Sequence, residues 1–531
     1  MSVVLELGPH ATRDAPSTMA ATIDHLATAA ADHLLRAGGS AVDAAIGASA
    51  VLAVTSPHLC GMGGDLLALV HDGPGPPTAL DATGRAGSRA DAARLRDEGH
   101  DRVPFRHHPA AVTVPGCVDG WVALHERYGV LALSTVLADA VALAEDGFPA
   151  APLLHAAAGL LADAPQPAAH ELAAQADRVG AVVRRPGVAA ALRAVAAEGR
   201  GGFYEGTFGA GLLDVAASEL TADDLTVPQA RWVEPLGRSV WGHDVWTMPP
   251  TSQGYLTLAG AWVLERLEPP QDPTDPQWAH LVVEAVKQVG RDRPHVLHED
   301  ADPAELLDPL RLARALDAVD PTRASPASSP AGDGDTIYLC VADGDGMAVS
   351  LIQSTAADFG SHLFEPATGI NLHNRGIGFR LDPGHPATLG PGRRPPTTLA
   401  PALVTTSAGD LRAVLGTMGG DTQPQIVLQL LARLLGLGQR PGTCIAAPRV
   451  YLTNRGRSFT LWEEPARVAV AVEGHAPADW VDGLRSRGHD VVERGPFDLG
   501  AGHAQLIERA GHGGWGGAAD PRAGIGSALG H

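Results

Sequence analysis

The sequence predicts an α/β sandwich, in which β-strands are packed between layers of helices. The chain has 531 residues, of which 45% are hydrophobic, and this is enough apolar material for a large buried core. Helix-length apolar patterns dominate its first two-thirds, and short strand-like runs separated by turn residues dominate the last third. A protein with both kinds of segment buries them well as sheets covered by helices.

The predicted elements begin with two helices near the N-terminus. The alanine-rich residues 18–37 predict one helix, which a following glycine pair ends. Ser40 is a suitable cap for a second helix because Asp43 stands in the capping-box position, and this helix should extend to about Val54. The run LLALVHDG then predicts a strand that leads into a turn.

The central region is again mainly helical. Residues 118–146 predict a pair of helices interrupted at Gly129, and further helices are predicted within 153–200 and 275–318. The run HDVWTMPP predicts a strand between them. Residues 319–335 are rich in proline, serine, alanine and glycine and lack apolar periodicity, so we expect a flexible linker there.

Two hairpins and a helix follow the linker. TIYLCVAD and GMAVSLIQS flank the turn residues 343–346, and PALVTT and LRAVLGTM form a second pair of strands. QPQIVLQLLARLLGLG then predicts a long apolar helix. The sequence contains no internal repeat that we can detect.

Charge and composition argue against several classes of function. The formal net charge is −21, from 39 basic and 60 acidic residues, and phosphate-rich partners such as nucleic acids or anionic membranes attract basic surfaces instead. The four cysteines lack metal-ligand spacing and no HExxH motif occurs, so neither a metal nor another cofactor is implied. The N-terminus lacks a secretory pattern and no run reads as a membrane span, so we expect a soluble cytoplasmic protein.

Thr336 stands where the linker meets the first strand of the last third. A threonine hydroxyl is a weak nucleophile, but an N-terminal threonine can use its own α-amine, with a pKa near ~7.7–8.0, as the base. Attack of the hydroxyl on the preceding carbonyl would cleave the Asp335–Thr336 bond and expose that amine. From this stretch alone, a threonine that merely begins a β-strand is the simpler interpretation.

The first hairpin predicts which residue faces the threonine. If Ala342 pairs with Met347 across the turn, Thr336 lies opposite Gln353 to within one residue. Ser354 would then be close enough to form a hydrogen bond with the hydroxyl or the amine of Thr336. The spacing therefore makes Ser354 a candidate supporting residue.

Twelve segments of the chain, taken in order, resemble one known family. Before the linker they are 36–65, 114–120, 143–149, 249–254 and 284–293. After it they are DTIYLCVADGDGMAVSL, FGS, TGINLHNRGIGF, GRRPPTTLAP, LGTMGGDTQPQ, AAPRV and ADPRAGIGSALG. They resemble the γ-glutamyltransferase (γ-glutamyltranspeptidase) family, and because they cover nearly the whole chain the resemblance is specific.

The resemblance implies an N-terminal-nucleophile hydrolase with a four-layer αββα core. Its precursor cuts itself into a large subunit, 1–335, and a small subunit, 336–531, which stay together. The family nucleophile is the threonine that opens the small subunit, and it matches Thr336. The supporting hydroxyl of the family matches Ser354.

Two further pairs of residues match functional positions of the family. Thr397 and Thr398 match hydroxyl residues that contact the substrate. Gly419 and Gly420 match the glycine pair whose backbone amides form the oxyanion hole. Glycine suits this role because it lets the backbone approach a developing negative charge, although such a pair taken alone is more often a plain turn.

The residues that hold a zwitterionic glutamyl group in the transpeptidases are missing. Thr83 replaces the arginine that binds the α-carboxylate, and the ligands of the α-amino group are replaced by Ala356, Arg375 and Gly378. A charged group without its partner binds poorly in a pocket. The patterns GRA, SLIQS and NRGIGF are closer to the branch that contains cephalosporin (glutaryl) acylases, so we expect retained chemistry with a changed acyl donor.

Arginine side chains offer another way to bind an acid-bearing substrate. Arg375 could hold the carboxylate of an acyl group in a bidentate manner, or it could belong to a structural ion pair. Arg85 is a weaker candidate for the same role.

The sequence therefore predicts a self-cleaving N-terminal-threonine amidohydrolase or acyltransferase. Its substrates would be γ-glutamyl or related acyl amides, as in glutathione hydrolysis or glutaryl acylase reactions, and hydrolysis should exceed transpeptidation. The expected partners are a small-molecule amide and the two subunits of one precursor. The alternative is an uncleaved, non-catalytic member of the family that binds a ligand or serves a structural role.

Overall fold

The computed structural model describes residues 11–326, 335–454, 468–511 and 513–531. Residues 327–334 of the predicted linker 319–335 lie outside the described residues, so the flexibility of this part stays a prediction. Within the described ranges no helix is both long and apolar enough to cross a membrane. The cytoplasmic location also stays a prediction.

The described residues form 21 strands and 20 α-helices. The strands are β1 (Arg13–Ala15), β2 (Met19–Thr22), β3 (Asp65–His71), β4 (Thr78–Ala82), β5 (Phe148–Pro149), β6 (Val182–Val183), β7 (Arg231–Val233), β8 (Leu236–Val240), β9 (His243–Thr247), β10 (Asp335–Ala342), β11 (Ala348–Ala356), β12 (Leu363–Phe364), β13 (Asn371–Leu372), β14 (Ala402–Thr406), β15 (Leu411–Thr417), β16 (Val450–Asn454), β17 (Val468–Val472), β18 (Val491–Glu493), β19 (Ala504–Arg509), β20 (Trp515–Ala519) and β21 (Ser527–Leu529). The helices are α1 (His25–Arg36), α2 (Ala41–Thr55), α3 (Ala92–Asp97), α4 (Cys117–Tyr128), α5 (Leu133–Val136), α6 (Ala138–Asp146), α7 (Pro152–Ala158), α8 (Pro167–Gln175), α9 (Pro186–Glu198), α10 (Arg200–Tyr204), α11 (Thr207–Val215), α12 (Ala222–Thr226), α13 (Tyr255–Arg266), α14 (Pro276–Gly290), α15 (Arg293–Val296), α16 (Pro303–Leu306), α17 (Pro309–Asp317), α18 (Gln423–Leu431), α19 (Pro441–Ala446) and α20 (Ala478–Ser486).

Two seven-stranded antiparallel sheets form the centre of the molecule. The strand order of the first, which we call the A sheet, is β1-β20-β19-β15-β14-β9-β8. The order of the second, the B sheet, is β21-β2-β10-β11-β3-β4-β7. Three small sheets pair β5 with β6, β12 with β13, and β16 with β17 and β18.

The two large sheets pack face to face, and helices cover both outer faces. Tyr338, Leu403 and Ile507 are among the buried apolar side chains between the sheets. A second core lies where α2 packs on the outer face of the B sheet, and a third lies where α13 and α18 pack on the A sheet. The predicted αββα sandwich is therefore confirmed.

Local sequence signals set the start of α2, the helix that packs on the outer face of the B sheet. The Ser40 hydroxyl accepts a hydrogen bond from the Asp43 amide, and the Asp43 carboxylate accepts one from the Ser40 amide, both at 3.1 Å. This is the predicted capping box. All 15 residues of α2 are buried, which explains why this helix is apolar on every side.

The predicted helix over residues 18–37 is wrong at its start. Met19–Thr22 form strand β2, and α1 begins only at His25, where the Asp24 carboxylate accepts from the Leu26 amide at 2.9 Å. Strand β2 pairs with β10, more than 300 residues away in the chain. A ladder partner at this distance outweighs the local helix propensity of an alanine-rich segment.

The other predicted elements are confirmed with small shifts. Both hairpins, the helices on either side of Gly129 and the long apolar helix after Thr422 are present. Across the first hairpin turn Ala342 faces Ala348, one residue beyond the predicted partner. Strand β10 already includes Asp335, so the bond before Thr336 lies inside a strand.

Both large sheets combine strands from before and after the predicted cleavage point. In the B sheet, β10 and β11 lie between β2 and β3. In the A sheet, the four strands β20, β19, β15 and β14 lie between β1 and β9. Neither predicted subunit, 1–335 or 336–531, contains all the strands of either large sheet, so after cleavage both chains would still be needed to form each large sheet.

Candidate active site

Thr336 lies at a β-bulge in the ladder between β10 and β11. Asp335 faces Ala356 and Ile337 faces Gln353, and the register shifts between these two pairs. The predicted pairing to within one residue of Gln353 is therefore confirmed. Between these pairs β10 has one residue, Thr336, and β11 has two, Ser354 and Thr355, so the extra residue of the bulge lies on β11, opposite Thr336.

The Thr336 hydroxyl shares a hydrogen bond of 3.1 Å with the Ser354 hydroxyl. Both residues are buried, with 1% and 0% of their surface exposed. The Ser354 oxygen also accepts a hydrogen bond of 2.8 Å from the amide of Ala356, whose φ of 76° turns the backbone back toward the serine. The structure thus brings together the two hydroxyl groups that the sequence analysis paired.

Glycines of the GMGGD segment allow a close approach behind Ser354. A Cβ atom on Gly64 would lie 2.3 Å from the Ser354 carbonyl oxygen, and one on Gly63 would lie 2.2 Å from the Asn371 carbonyl oxygen. Both distances are too short for a side chain. The segment therefore reaches β11 only because these positions have no Cβ.

Asp65 follows these glycines and faces Ser354 directly across the ladder between β3 and β11. Its carboxylate accepts a hydrogen bond of 2.7 Å from Arg375 Nε, and His373 Nδ1 lies 3.3 Å away. Burial alone would raise the pKa of Asp65, but His373 and Arg375 outweigh burial and lower it to about 2. Asp65 is therefore ionised, and it holds Arg375 beside the hydroxyl pair.

The Arg375 guanidinium has one nitrogen left over. The residue is 3% exposed, and its Nη2 atom has no hydrogen-bond partner among the residues that the structure describes. The arginine is therefore the structural ion pair considered as one alternative, and it also presents a buried donor that is free for a ligand. An unpaired buried donor of a charged group is costly, so a ligand that accepts its hydrogen bond would bind favourably.

The predicted oxyanion-hole pair lies at the N-terminal end of the segment that leads into α18. Gly419 and Gly420 have φ angles of 132° and 54°, which residues with a side chain rarely adopt. The Gly419 carbonyl accepts hydrogen bonds from the amide and the hydroxyl of Thr422, at 2.9 and 2.7 Å. Because a peptide unit is planar, this fixes the Gly420 amide on the opposite side, pointing away from the helix.

Packing between the sheets places this pair at the same end of the sandwich as Thr336. The Cys340 thiol lies beside the backbone of Ile507, which pairs with Val414 of β15, and the Tyr338 ring lies against Gly416. Cys340 of β10 thus lies near the level of Val414 of β15, and Tyr338, two residues earlier in β10, lies against Gly416, two residues later in β15. Continued by two more residues, the same relation places Thr336 of β10 near Met418, the residue just before the glycine pair.

Thr397 and Thr398 are buried beside the glycine pair. The amide of Thr397 donates to the Thr251 carbonyl at 3.0 Å, and its carbonyl accepts from the Gln253 amide at 3.1 Å. The Gln253 side-chain amide donates to the carbonyls of both Thr398 and Gly420, each at 3.1 Å. One glutamine side chain thus joins the two predicted pairs, and the roles of all four residues stay predictions.

Arg85 is not joined to these groups. It is half-buried, and its guanidinium donates to the Pro228 carbonyl at 3.2 Å. Near Thr83, where the transpeptidase arginine would stand, another arginine is present: Arg394 donates to the Thr83 carbonyl and, at 2.7 Å, to the Gln229 carbonyl. Arg375 is therefore the stronger candidate for binding a carboxylate.

Possible metal ligands occur in two clusters of the described residues, and neither includes the predicted site residues. One joins Glu98 with two histidines on the surface. The other joins His280, Glu284 and His489, but the Lys287 ammonium lies 2.8 Å from the Glu284 carboxylate and 3.3 Å from His489 Nδ1. The lysine already supplies the positive charge of that buried cluster, so its residues do not fit a metal.

Comparison with known families agrees with this geometry. The family model described as gamma-glutamyltranspeptidase matches residues 27–529, nearly the whole chain. The chain belongs to the gamma-glutamyltranspeptidase family.

Curated relatives within this gamma-glutamyltranspeptidase family cover the chain almost completely. An oxamate amidohydrolase proenzyme of Klebsiella pneumoniae is 37% identical over 97% of this chain and 98% of its own. A glutathione hydrolase-like proenzyme of Bacillus subtilis is 35% identical over 95% and 97%. The solved cephalosporin acylase of Bacillus halodurans is 30% identical over 98% and 97%, with a TM-score of 0.88.

The family model and these relatives define the class of this protein. It is an N-terminal-nucleophile hydrolase, made as a proenzyme that cleaves itself, and it acts on amides. The resemblance to the branch with cephalosporin acylases is confirmed. The alternative of an uncleaved binding protein has no support in these comparisons.

Three residues of the site had no predicted role, although they lie in segments that match the family. Asp65 ends the GMGGD segment, Gln253 lies in PPTSQG, and Arg293 ends EAVKQVGRDR and donates to the Gln253 side chain at 2.9 Å. Asp65 carried a signal, because it stands between a glycine-rich run and an apolar run, whereas the neighbours of Gln253 and Arg293 gave none. Their partners are distant in the chain, so the signal did not reveal a role.

Proposed function

We propose that the mature enzyme hydrolyses small acyl amides whose acyl group carries a carboxylate. The observation that carries this proposal is the free Nη2 donor of Arg375, buried beside Asp65 on the strand next to Ser354. Residues directly opposite in an antiparallel ladder project on the same face, with Cβ atoms about 4.5–5.5 Å apart. A carboxylate bound by Arg375 would then lie within a short acyl chain of the Thr336 hydroxyl.

Self-cleavage would use the geometry of the precursor. The bulge places Ser354 opposite Thr336, and the Thr336 hydroxyl attacks the Asp335 carbonyl carbon with Ser354 as its hydrogen-bond partner. The C–N bond breaks as the C–O bond forms, which converts the peptide into an ester. The hydroxyl proton passes to the nitrogen, which becomes the α-amine of Thr336, and water then hydrolyses the ester to free the Asp335 carboxylate and the hydroxyl.

The same groups would then act on the substrate. The α-amine takes the proton of the Thr336 hydroxyl while the oxygen attacks the amide carbon. The amides at Gly419 and Gly420 donate to the oxygen that becomes negatively charged. The C–N bond breaks, the proton passes to the leaving nitrogen, and water releases the acyl group from the ester in a second cycle.

The proposed acyl group follows from two observations: the ligands that bind a glutamyl group in the transpeptidases are missing, and Arg375 is present. Thr83, Ala356 and Gly378 supply no charge for a zwitterionic glutamyl head, whereas Arg375 supplies a buried positive charge for a single carboxylate. Oxamate, which names one relative, is a very small amide of this kind, and glutaryl amides are longer ones. We therefore place γ-glutamyl donors and transpeptidation behind hydrolysis of simple acid-bearing amides.

The remaining predicted ligands keep secondary roles in this proposal. Thr397 and Thr398 would contact the bound substrate from the A-sheet side, because Gln253 ties their backbone to Gly420. Arg85 would contribute only if the substrate extends toward Pro228.

A substrate panel tests the donor. Purified wild type should hydrolyse oxamate-like and glutaryl amides at least about 100-fold faster than neutral acyl amides of equal length, because the acid pairs with Arg375. Arg375→Gln should remove most of this preference, and exposed Arg89→Gln is the matched control that should keep it. Thermal melting shows whether each variant is folded.

Two outcomes would count against parts of the proposal separately. If γ-glutamyl anilides or glutathione are hydrolysed as fast as acid-bearing simple amides, the assignment of the donor is wrong while the threonine mechanism stands. If the cleaved protein hydrolyses no amide in the panel, the proposed activity itself is wrong.

A further inference from the structure

His58 and His503 are buried histidines that the mechanism above does not use. They are 3% and 2% exposed, and none of their four ring nitrogens has a hydrogen-bond partner among the described residues. The two rings are close enough that His503 affects the pKa of His58, yet they are not bonded to each other. Buried polar atoms in proteins nearly always have a partner, so this pair indicates a site for a polar group.

His58 is held against the segment that follows Ser354. Its carbonyl accepts a hydrogen bond of 3.0 Å from the Phe359 amide, and the neighbouring Leu59 carbonyl accepts one of 3.2 Å from the Thr355 amide. Its ring lies beside the Phe359 ring, with centroids 6.1 Å apart. His58 therefore belongs to the B-sheet side of the active-site end.

His503 is held against the segment that leads to the glycine pair. Its carbonyl accepts a hydrogen bond of 3.2 Å from the Met418 amide, one residue before Gly419. The next residue, Ala504, pairs with Thr417 at the end of β15. His503 therefore belongs to the A-sheet side of the same end, which also holds Thr336.

Strand order places His503 on the opposite flank of Thr336 from Arg375. Across the sandwich, β2 packs over β19 and β20, β10 packs over β15 and β19, and β11 packs over β15. Strand β19, which follows His503, thus lies toward β2, whereas β3, which holds Arg375 through Asp65, lies on the other side of β11. A substrate whose acyl group extends toward the arginine has its leaving amine directed toward the histidine flank.

Both imidazoles stay uncharged at ordinary pH. Burial lowers the pKa of His58 to about 3, and burial lowers that of His503 to about 4. The charged groups that face His503 are Asp520, Arg449 and Arg522, and the carboxylate only partly offsets the burial. A neutral imidazole offers one acceptor and one donor, which suits an uncharged amide nitrogen or a small amine.

We propose that His58 and His503 form the subsite for the leaving amine, and that this subsite favours ammonia or a small primary amine. The proposal rests on the proposed function, because it takes the acyl group to lie toward Arg375. The free ring nitrogens accept hydrogen bonds from the N–H groups of the substrate amide and hold its nitrogen where the proton arrives. The Thr336 oxygen bonds to the carbon, the C–N bond breaks, and the proton passes from the α-amine to the leaving nitrogen, so the imidazoles neither gain nor lose a proton.

Substrates that share one acyl group and differ in the leaving group test the subsite. An oxamate-like primary amide needs the N–H contact, whereas the ethyl ester of the same acid has no N–H to donate. His503→Leu and His58→Leu should lower kcat/KM for the amide about tenfold and change that for the ester less than about threefold. His503→Asn and His58→Gln restore an acceptor and should recover part of the loss.

Capture of the acyl-enzyme gives a second, independent measurement. The ester forms the acyl-enzyme without using the amine subsite, but hydroxylamine must enter that subsite to compete with water. The ratio of hydroxamate to free acid should therefore fall about tenfold in the leucine variants and stay near the wild-type ratio in His58→Gln. A purely structural role for the histidines would leave this ratio unchanged.

Folding and the donor assignment are controlled separately. Thermal melting and completed self-cleavage show that a variant is folded before its kinetics are compared. Equal losses on amide and ester, or an unchanged hydroxamate ratio, would overturn the subsite. Both measurements compare reactions of a single acyl group. If the donor panel showed no preference for acid-bearing amides, the role of Arg375 would be wrong, but the amide-to-ester comparison and the hydroxamate ratio would be unaffected.

Discussion

Ser354 and Asp65 face each other across the ladder between β11 and β3, and each holds one functional group of the site. The serine hydroxyl is bonded to the Thr336 hydroxyl, and the aspartate carboxylate is bonded to Arg375. The proposed nucleophile, Thr336, and the proposed carboxylate ligand, Arg375, thus each contact a residue of one facing pair in the B sheet. Their separation is fixed by backbone pairing, which is more rigid than a loop.

Thr336→Ala should remain a single polypeptide, because it lacks the oxygen that attacks the Asp335 carbonyl. Wild type should yield two bands on denaturing electrophoresis, and the smaller chain should begin Thr-Ile-Tyr-Leu. Thr336→Ser keeps an oxygen and should still cleave. Terminal sequencing or mass mapping makes the measurement, and active wild-type material without that terminus would contradict the assigned nucleophile.

Asp65→Asn should destabilise the protein by about 3–5 kcal/mol, because it leaves the Arg375 guanidinium buried without its counter-charge. Arg375→Gln should cost a similar amount. The double variant should be more stable than the sum of the two losses predicts, since neither charge then stays unpaired. Urea unfolding of the four proteins measures the coupling, and additive losses would show that the ion pair contributes little.

Ser354→Ala should slow both self-cleavage and turnover by about 10- to 100-fold, because a hydrogen bond to the attacking oxygen is worth about 1–3 kcal/mol. Ser354→Thr keeps the hydroxyl and serves as the matched variant. The half-time of precursor cleavage can be followed on gels. A half-time for the alanine variant within twofold of wild type would remove Ser354 from the mechanism.

Gly64→Ala should impair the site, because the new Cβ would lie 2.3 Å from the Ser354 carbonyl oxygen, which belongs to the backbone and cannot rotate away. We expect a loss of several kcal/mol in the free energy of unfolding and slower self-cleavage. Gly201→Ala, where no atom lies within 4 Å of the added carbon, is the control that should fold and cleave normally. If Gly64→Ala melted at the wild-type temperature, β11 would be able to shift away from the added carbon despite its pairing with β3 and β10.

Mild acid should destabilise the protein before its carboxylates are protonated. The buried histidines 58, 489 and 503 have their pKa lowered to about 3, 3 and 4, chiefly by burial. Between about pH 6.5 and pH 4 the unfolded chain binds protons that the folded chain does not, so the free energy of unfolding falls as pH falls. The slope should approach about 1.4 kcal/mol per pH unit for each histidine.

Urea midpoints at pH 7.5, 6.5, 5.5 and 4.5 measure this slope. His58→Gln removes one titrating group and should make the dependence shallower. Arg89→Gln, at an exposed position, removes no histidine and should not change the dependence. A flat profile in wild type would show that the buried rings take up protons without cost.

Local signals predicted much of the fold and part of the site. The capping box of Ser40 and Asp43 and the hairpin that brings Thr336 to Ser354 both depend on residues close in the chain, and both were predicted. The strand at Met19–Thr22 was missed because its partner is β10. A ladder between segments so far apart leaves no local pattern.

The pairing of Asp65 with Arg375 is a second case in which partners distant in the chain leave no local pattern. Asp65 and Arg375 are 310 residues apart, and only the folded ladder shows that the arginine is ion-paired and still has a free nitrogen. The sequence offered the arginine as a ligand or as a structural residue. The geometry shows the ion pair, and the unpartnered Nη2 supports the proposed role as a ligand.

The central position of β10 in the B sheet has a consequence for how the enzyme can be made. In the uncut chain, the strand that Thr336 would begin after the proposed cleavage already pairs with β2, which would belong to the other product. Two separately synthesised halves would each expose unpaired strand edges and would have to interdigitate while folding. Maturation by a late cut avoids this problem, so we expect that the gene cannot be split at this codon into two independently expressed parts that reconstitute activity.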